Sequence, residues 1–333
     1  MDFTLKTYCL LLAALKKRGY TFLTYSNFIE NNSSLVKTHS SQVTSHPSLC
    51  ILRHDVDKLP GNSLTMAKIE AEFGIKGTYY FRIVPESFDE KIIKEIAEMG
   101  HEAGYHYEEM DLAYSQLKMN NEKLCLIPLI SGKIRKNDAA IKKFDNDPSH
   151  FDQPAGRQDS AQDDNLRLTD STNNQLPTAV IDLAYELFKV NLENIRRAAE
   201  IKTICMHGSP RAKYDNKLIW MKYNYRDLGI IGEPYLDIDW KEFGYLTDTG
   251  RRWDGDKVSV RDKASTSILP QKGRRFRTTQ DIIENVNSLP DKMMFTIHPQ
   301  RWTNDILPWA KELVLQNVKN VVKRVIAKRP ERS

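Results

Sequence analysis

Two short clusters of acidic residues and histidines have the residue types and spacing that metal-assisted hydrolysis requires. The first contains Asp55 and Asp57, and the second, residues 100–108, contains His106. Residues two apart in an extended chain point to the same side, so Asp55 and Asp57 would present two carboxylates together. Like charges so close resist joint ionisation, and a bound cation relieves this repulsion. We therefore expect a divalent cation here; the alternative is that both aspartates cap backbone groups in a turn.

The segments around these clusters alternate between strand and helix patterns. Residues 63–73 and 89–99 have apolar side chains at helical spacing, and residues 76–84 are rich in strand-forming residues. A βαβαβ order predicts parallel strands joined by right-handed crossovers. Both clusters then lie at the carboxyl ends of strands, where folds of this class keep their functional sites.

Two strand patterns later in the sequence also end in a histidine. Residues 202–206 precede His207, and residues 292–297 precede His298. Residues 228–239 are a further predicted strand. A histidine at a strand end can line a site or can be a satisfied core residue, so the sequence leaves the role of His207 open.

The composition is that of a folded α/β protein. A chain of 333 residues with 40% apolar content can form one large domain. The 49 basic and 44 acidic residues are interspersed along most of the chain, so we expect no nucleic-acid partner.

The four cysteines form no CxxC pair, which indicates a reducing compartment. The apolar run at residues 8–15 is too short to span a bilayer and lacks the features of a signal peptide. We expect a cytoplasmic protein without a transmembrane segment.

One long segment departs from the alternating pattern. Residues 153–177 contain almost no aliphatic side chains, and such a composition cannot bury enough apolar surface to offset the chain entropy. We predict a largely disordered insertion over residues 119–178. Residues 1–118 and 179–333 would then be the N-terminal and C-terminal parts of a single domain.

At the two clusters the sequence resembles the polysaccharide deacetylases, a carbohydrate esterase family that includes chitin and peptidoglycan deacetylases. Residues 100–107 are similar to the histidine motif of that family, and Asp55 and Asp57 are similar to its aspartate motif. The resemblance implies a deformed (β/α) barrel with Asp55 as the general base. It also implies that Asp57 and His106 bind a divalent cation, with zinc as the expected ion.

The sequence departs from the family pattern at two points. Met110 stands where the family has a second histidine, and a thioether is a poor ligand for zinc. Glu108, Glu109 and His207 are the candidates for the third ligand, with His207 the residue that we assign; otherwise the metal is held weakly. The arginine that orients the base in the family has no clear counterpart, and Arg211 is only a weak candidate.

Other segments resemble the remaining family motifs. Asp239 and Trp240 are similar to a pair in which the aspartate supports the catalytic histidine and the tryptophan lines the pocket. The resemblance also implies that His298 is the general acid. Arg251 and Trp302 could hold an anionic sugar through bidentate and stacking contacts; alternatively, they are ordinary surface loop residues.

The implied activity is the metal-dependent hydrolysis of an N-acetyl group on a sugar or glycoconjugate. The cation polarises the acetyl carbonyl, Asp55 removes a proton from the attacking water, and His298 protonates the departing amine. The alternative is a catalytically inactive, carbohydrate-binding member of the same fold. Met110 and the missing arginine favour that alternative.

The spacing of the apolar residues in the C-terminal segment predicts an amphipathic helix. Its apolar stripe consists of five residues: Leu307, Val314, Val318, Val321 and Val325. We expect this stripe to pack against the barrel, with a coiled coil as the alternative. The basic residues that follow are expected to be a solvated helix end, with binding to a membrane surface as the alternative.

Overall fold

The computed structural model describes residues 1–35, 48–125, 178–209, 212–253 and 276–327. The strands are β1 Thr21–Phe22, β2 Leu49–Val56, β3 Thr78–Phe81, β4 Glu102–Tyr107, β5 Ile204–Met206, β6 Gly244–Thr247 and β7 Lys292–Ile297. The helices are α1 Leu5–Arg18, α2 Tyr25–Leu35, α3 Pro60–Glu72, α4 Glu90–Glu98, α5 Glu109–Cys125, α6 Thr178–Arg196, α7 Pro234–Asp237, α8 Thr279–Glu284 and α9 Ile306–Ala327.

The strands form one parallel sheet that curls into a half-barrel. Their order is β5-β4-β3-β2-β7-β6, and β1 pairs with the start of β2. This arrangement confirms the α/β class and the parallel βαβαβ order expected from the sequence. Because β4 pairs with β5 and β2 pairs with β7, the parts before and after the predicted insertion share one sheet.

The two faces of the sheet have different environments because side chains alternate along each strand. The outer face carries Leu52 and Val56 of β2 and packs on α1, α3, α4 and α6. The inner face carries Ile51, Arg53 and Asp55 of the same strand. Its apolar part packs with residues of α2 and with the segment after α7. The inner face is therefore where β2 holds its charged residues.

Two predicted segments have a different structure. Residues 228–239 were predicted as a strand, and this prediction is wrong because they contain α7. Pro234 occupies the first turn of α7, where its missing N–H has no cost, and the Glu233 carboxylate accepts from Leu236 N as a cap. The start of the predicted insertion, up to Cys125, continues α5, and α6 begins at Thr178. The rest of that insertion lies outside the described residues.

The apolar stripe of α9 does not pack against the barrel. Leu307, Val314 and Val318 are 82%, 61% and 57% exposed. The side chains of Val321 and Val325 lie outside the described part of the chain. Among the residues that the structure describes, no helix has the length and apolar character needed to cross a membrane.

Candidate metal centre

The candidate site lies at the carboxyl ends of four neighbouring strands of the inner face. Asp55 is on β2, and His106 on β4 is paired with Cys205 on β5. Asp57 lies two residues after Asp55, and His207 lies two residues after Cys205. Side chains two residues apart in an extended segment point to the same side. The alternation of side chains along each strand directs all of these groups to the inner face. The strands therefore bring together residues that are up to 152 positions apart in the sequence.

Three side chains converge as a possible metal-binding group. Asp57, His106 and His207 each offer one ligand atom, and these atoms all lie within 4.8 Å of one another. Asp57 Oδ1 is 3.8 Å from His106 Nε2 and 3.6 Å from His207 Nε2. The side chains of Asp57 and His207 are 24% and 19% exposed, whereas His106 is buried. The group is thus reachable from solvent on one side only.

Neighbouring groups orient both histidines for metal binding. His106 Nδ1 is 2.9 Å from the Cys205 carbonyl oxygen, so Nδ1 carries the proton and Nε2 is left with a lone pair. His207 Nδ1 is 3.1 Å from Glu108 Oε2, an ion-pair distance, and it has no hydrogen-bond partner among the described residues. Glu108 is in turn held by Arg82 Nη2, at 2.8 and 2.7 Å from its two oxygens.

The charge states of His106 and Asp57 match this arrangement. Burial lowers the pKa of His106 to about 4, so its ring is neutral near pH 7. Burial also opposes protonation of His207, but the neighbouring carboxylates of Glu108 and Asp57 raise its pKa, so a bound cation would have to displace a proton from this ring. Burial would raise the pKa of Asp57, yet the three neighbouring histidines, His207, His298 and His106, lower it. The group therefore contains an ionised carboxylate facing imidazole nitrogens.

The residues present fit a divalent cation. Asp57 Oδ1 is buried and has no hydrogen-bond partner among the described residues, although such orphaned oxygens are costly. One carboxylate and two imidazoles are a donor set that zinc accepts, with positions left for substrate or water. Asp55, His106 and Cys205 form a second possible group. Arg53 already occupies both oxygens of Asp55, so the first group is the better candidate.

Asp55 is fixed by an arginine from its own strand. Arg53 Nε and Nη2 donate to the two carboxylate oxygens at 2.8 and 2.6 Å. Both residues are buried, and the Arg53 guanidinium also lies over the Tyr235 ring. Burial would raise the pKa of Asp55, but Arg53 and His106 hold it below its usual range. Arg53 thus occupies the orienting position for which the sequence offered only Arg211, which lies outside the described residues.

His298 follows β7 and faces the same centre. Its Nε2 is 4.0 Å from Asp57 Oδ2, and its Nδ1 is 2.6 Å from Asp248 Oδ1. Asp248 also accepts from Arg301 Nη1 at 2.5 Å and from Trp302 Nε1 at 2.8 Å. Burial would raise the pKa of Asp248, but Arg301 and His298 lower it to about 2. The Asp248 carboxylate therefore stays ionised beside the His298 ring.

Asp239 does not support His298. It is exposed, and its Oδ1 caps the backbone N–H of Lys241. Asp239 and Lys292 line the same cavity, and Lys292 begins β7 whereas His298 follows its end. At roughly 3.3 Å per residue, the length of β7 puts about 20 Å between the two ends. The carboxylate that contacts His298 is Asp248, which was not predicted from the sequence and which directly follows β6.

The three expected substrate contacts lie elsewhere in the fold. Trp240 is buried in the inner core against Tyr245. Trp302 is 1% exposed, so its ring cannot stack on a sugar, and it serves instead as a donor to Asp248. Arg251 is buried, donates to the Arg301 carbonyl oxygen at 3.3 Å, and lies behind the His298 pair. Arg251 also lines a cavity of about 400 Å³ beside α9.

Met110 and the candidate ligand Glu109 do not point into the centre, whereas the candidate Glu108 contacts His207. Met110 is fully buried in the outer core. Glu109 is also buried, and it accepts hydrogen bonds from Tyr105 and Asn191. His101 Nδ1 accepts from Gly77 N, and its Nε2 contacts the Ala67 carbonyl oxygen, so this ring has a structural role.

No protein-family model matches the chain, and no curated protein or solved structure is significantly similar to it. The function must therefore be inferred from the residues and their geometry.

Proposed function

We propose that this protein is a metal-dependent hydrolase that removes an N-acetyl group from a sugar or glycoconjugate, on a barrel of the polysaccharide deacetylase type. The observation that carries this proposal is the convergence of Asp57, His106 and His207 within 4.8 Å. An arginine-held carboxylate, Asp55, and an aspartate-held histidine, His298, lie beside that group. A metal group flanked by a base and an acid is an arrangement that can hydrolyse an amide.

Asp57, His106 and His207 would hold the cation, with zinc as the expected ion. When bound, such a cation would polarise the acetyl carbonyl and lower the pKa of water in the site. Asp55 would accept the proton of the attacking water. Its carboxylate is ionised at neutral pH, and its Oδ2 lies 3.9 Å from His106 Nε2, next to the ligand group.

His298 would deliver a proton to the departing amine. Its Nδ1 proton points to Asp248 Oδ1, so Nε2 is the nitrogen that faces Asp57 and the site. An ionised aspartate behind the ring stabilises the imidazolium and fixes the tautomer, as in other hydrolytic pairs. Asp55 and His298 thus approach the ligand group from two neighbouring strands, β2 and β7.

The inactive, carbohydrate-binding alternative loses its two supporting features. Met110 does not leave the metal group short of a ligand, because His207 lies 3.6 Å from Asp57 Oδ1. The missing orienting arginine has a substitute in Arg53. The choice of a sugar as substrate rests on the resemblance of the two clusters to the deacetylase motifs.

Release of acetate tests this proposal. The zinc-loaded protein is incubated with a panel of N-acetylated monosaccharides, oligosaccharides and nucleotide sugars, and free acetate is measured. We expect turnover of at least one member, with a loss of about 10²-fold or more for His207→Ala and none for the exposed control Asp239→Ala. Binding of a sugar without acetate from any member of the panel would contradict the proposal and favour the inactive alternative.

A further inference from the structure

The C-terminal helix α9 is oriented opposite to the usual amphipathic helix. Its polar side contacts the body of the protein: Gln316 and Asn320 are buried, and Asn320 Nδ2 donates to the Gly250 carbonyl oxygen at 3.0 Å. Glu312 pairs with Lys58 at 3.2 Å on the same side. A surface helix of a globular protein normally buries its apolar stripe and exposes its polar one.

The apolar side of α9 is an exposed patch. We define this α9 patch as the five residues with large exposed apolar side chains: Ile306, Leu307, Val314, Leu315 and Val318. Their exposed fractions run from 43% to 82%. Single exposed apolar residues are ordinary, but five of them on one helix, with the exposed Lys311 among them, indicate an interaction surface.

The net charge of the chain is concentrated in the same segment. Residues 306–333 contain seven lysines and arginines and two glutamates, a net charge of +5 that equals the net charge of all 333 residues. The remaining 305 residues are therefore neutral overall. Lys311 and Lys319 of this segment are exposed on α9 beside the patch. A second copy of the chain would bring two such positive segments together, which is unfavourable.

We propose that α9 docks on the surface of an anionic lipid bilayer, with the α9 patch inserted at the interface and Lys311 and Lys319 against lipid headgroups. An interfacial helix needs an apolar face and a basic polar face, and it does not need the length to cross the membrane. Each lysine or arginine near an anionic surface adds to the attraction. A neutral protein body with one basic, apolar helix has the charge distribution that this docking requires.

A basic cavity beside α9 supports an anionic partner. The cavity is lined by Arg251, Arg252 and Arg277 and by Trp309 and Asn317 of α9. Arg251 is 8% exposed, and its Nε and Nη2 have no hydrogen-bond partner among the described residues. The one aspartate of the lining, Asp2, accepts from the backbone of Phe3 and Thr279. A headgroup phosphate would supply acceptors for the unpaired nitrogens of Arg251.

Docking would also place the metal centre near the membrane. Lys58, which pairs with Glu312 of α9, is the residue after Asp57. The proposal does not depend on the hydrolytic chemistry, and it is tested without an activity assay.

Vesicle flotation with the full chain tests the docking. We expect the fraction of protein that floats to be at least about tenfold higher with phosphatidylcholine vesicles that contain phosphatidylglycerol than with pure phosphatidylcholine vesicles. High salt should lower this fraction.

Leu307→Gln, Val314→Gln and Val318→Gln together should reduce flotation by about tenfold or more. Glutamine is a better helix former than valine, so α9 is not weakened. The matched control carries Leu10→Gln, Leu112→Gln and Val190→Gln on exposed apolar positions of three other helices and should float like wild type.

Two outcomes would overturn the proposal. One is equal, salt-independent flotation with both vesicle types or none with either. The other is a wild-type dimer by size-exclusion chromatography that the α9 triple variant converts to a monomer, which would assign the α9 patch to a second copy of the chain.

Discussion

Asp55 and Asp57 are two residues apart, yet the structure gives them different surroundings and therefore different uses. Arg53 occupies both oxygens of Asp55, whereas Asp57 Oδ1 has no hydrogen-bond partner in the described part of the chain. The parity argument that put both carboxylates on one side also applies to Arg53, which is two residues before Asp55. The sequence thus contained the signal for the orienting arginine, but the family pattern directed attention to a later segment.

Asp55→Asn should stop turnover without emptying the metal group. The amide cannot accept a proton from water, so we expect kcat to fall by about 10²- to 10⁴-fold. The metal content should stay at the wild-type level because Asp55 is not one of the three assigned ligands. Elemental analysis beside an acetate assay checks both parts. A variant with near-normal kcat would show that Asp55 is not the base.

Asp248→Asn tests the pair that replaced the predicted Asp239–His298 pair. This change removes the Asp248 carboxylate that contacts His298 Nδ1. The His298 ring then lacks the negative charge that stabilises its imidazolium form and the acceptor that fixes its tautomer. We expect kcat to fall by about 10²-fold or more with little change in KM. Asp239→Asn is the matched control and should behave like wild type, since Asp239 is exposed and lies near the opposite end of β7. Equal losses in both variants would contradict the pairing.

At the scale of elements, periodicity predicted the helices and strands that surround the two clusters, but it failed where local capping decides the structure. In residues 228–239 the apolar content indicated a strand. Pro234 and the Glu233 cap instead start α7. The stripe of α9 was predicted correctly as an apolar face, but periodicity states only that a face exists and does not say which side meets the protein.

Glu233 should make stability depend on pH near α7. It is fully buried, its carboxylate accepts from Met206 N and Leu236 N, and burial raises its pKa to about 7. Because the folded-state pKa is raised, the contribution of Glu233 to stability is fully present below its usual pKa and is lost as pH rises to about 7.

Glu233→Gln removes that titration. Relative to wild type, the free energy of unfolding of the variant should rise with pH over this range, by up to about 1.4 kcal/mol per pH unit. A constant offset from the changed hydrogen bonds does not affect the slope. Urea denaturation of both proteins at several pH values measures the slope, and parallel curves would contradict the assignment.

At the scale of the whole molecule, one parallel sheet joins the two parts of the chain, and the metal group sits across β2, β4 and β5. Sequence alone predicted the α/β class and the parallel order, and it named Asp57, His106 and His207, whose ligand atoms lie within 4.8 Å of one another. It did not predict the substrate contacts, because whether Trp302 or Arg251 is buried depends on how loops pack, which no local pattern records.

A metal that links three strands should also stabilise the fold. Binding to the folded state alone adds about 2.7 kcal/mol when the free ion is at 100 times its Kd. We expect a chelator to lower the Tm of the wild-type protein and to leave that of His207→Ala nearly unchanged. Equal shifts in both proteins would mean that the chelator acts elsewhere.

The metal content of the purified protein tests the central claim most directly. Elemental analysis should find close to one divalent ion, zinc or another, per wild-type chain. Asp57→Ala, His106→Ala and His207→Ala should each lose it, and Asp239→Ala should retain it. A wild-type protein that stays free of metal after incubation with excess zinc, or a His207→Ala variant that keeps a full complement, would contradict the proposed metal centre.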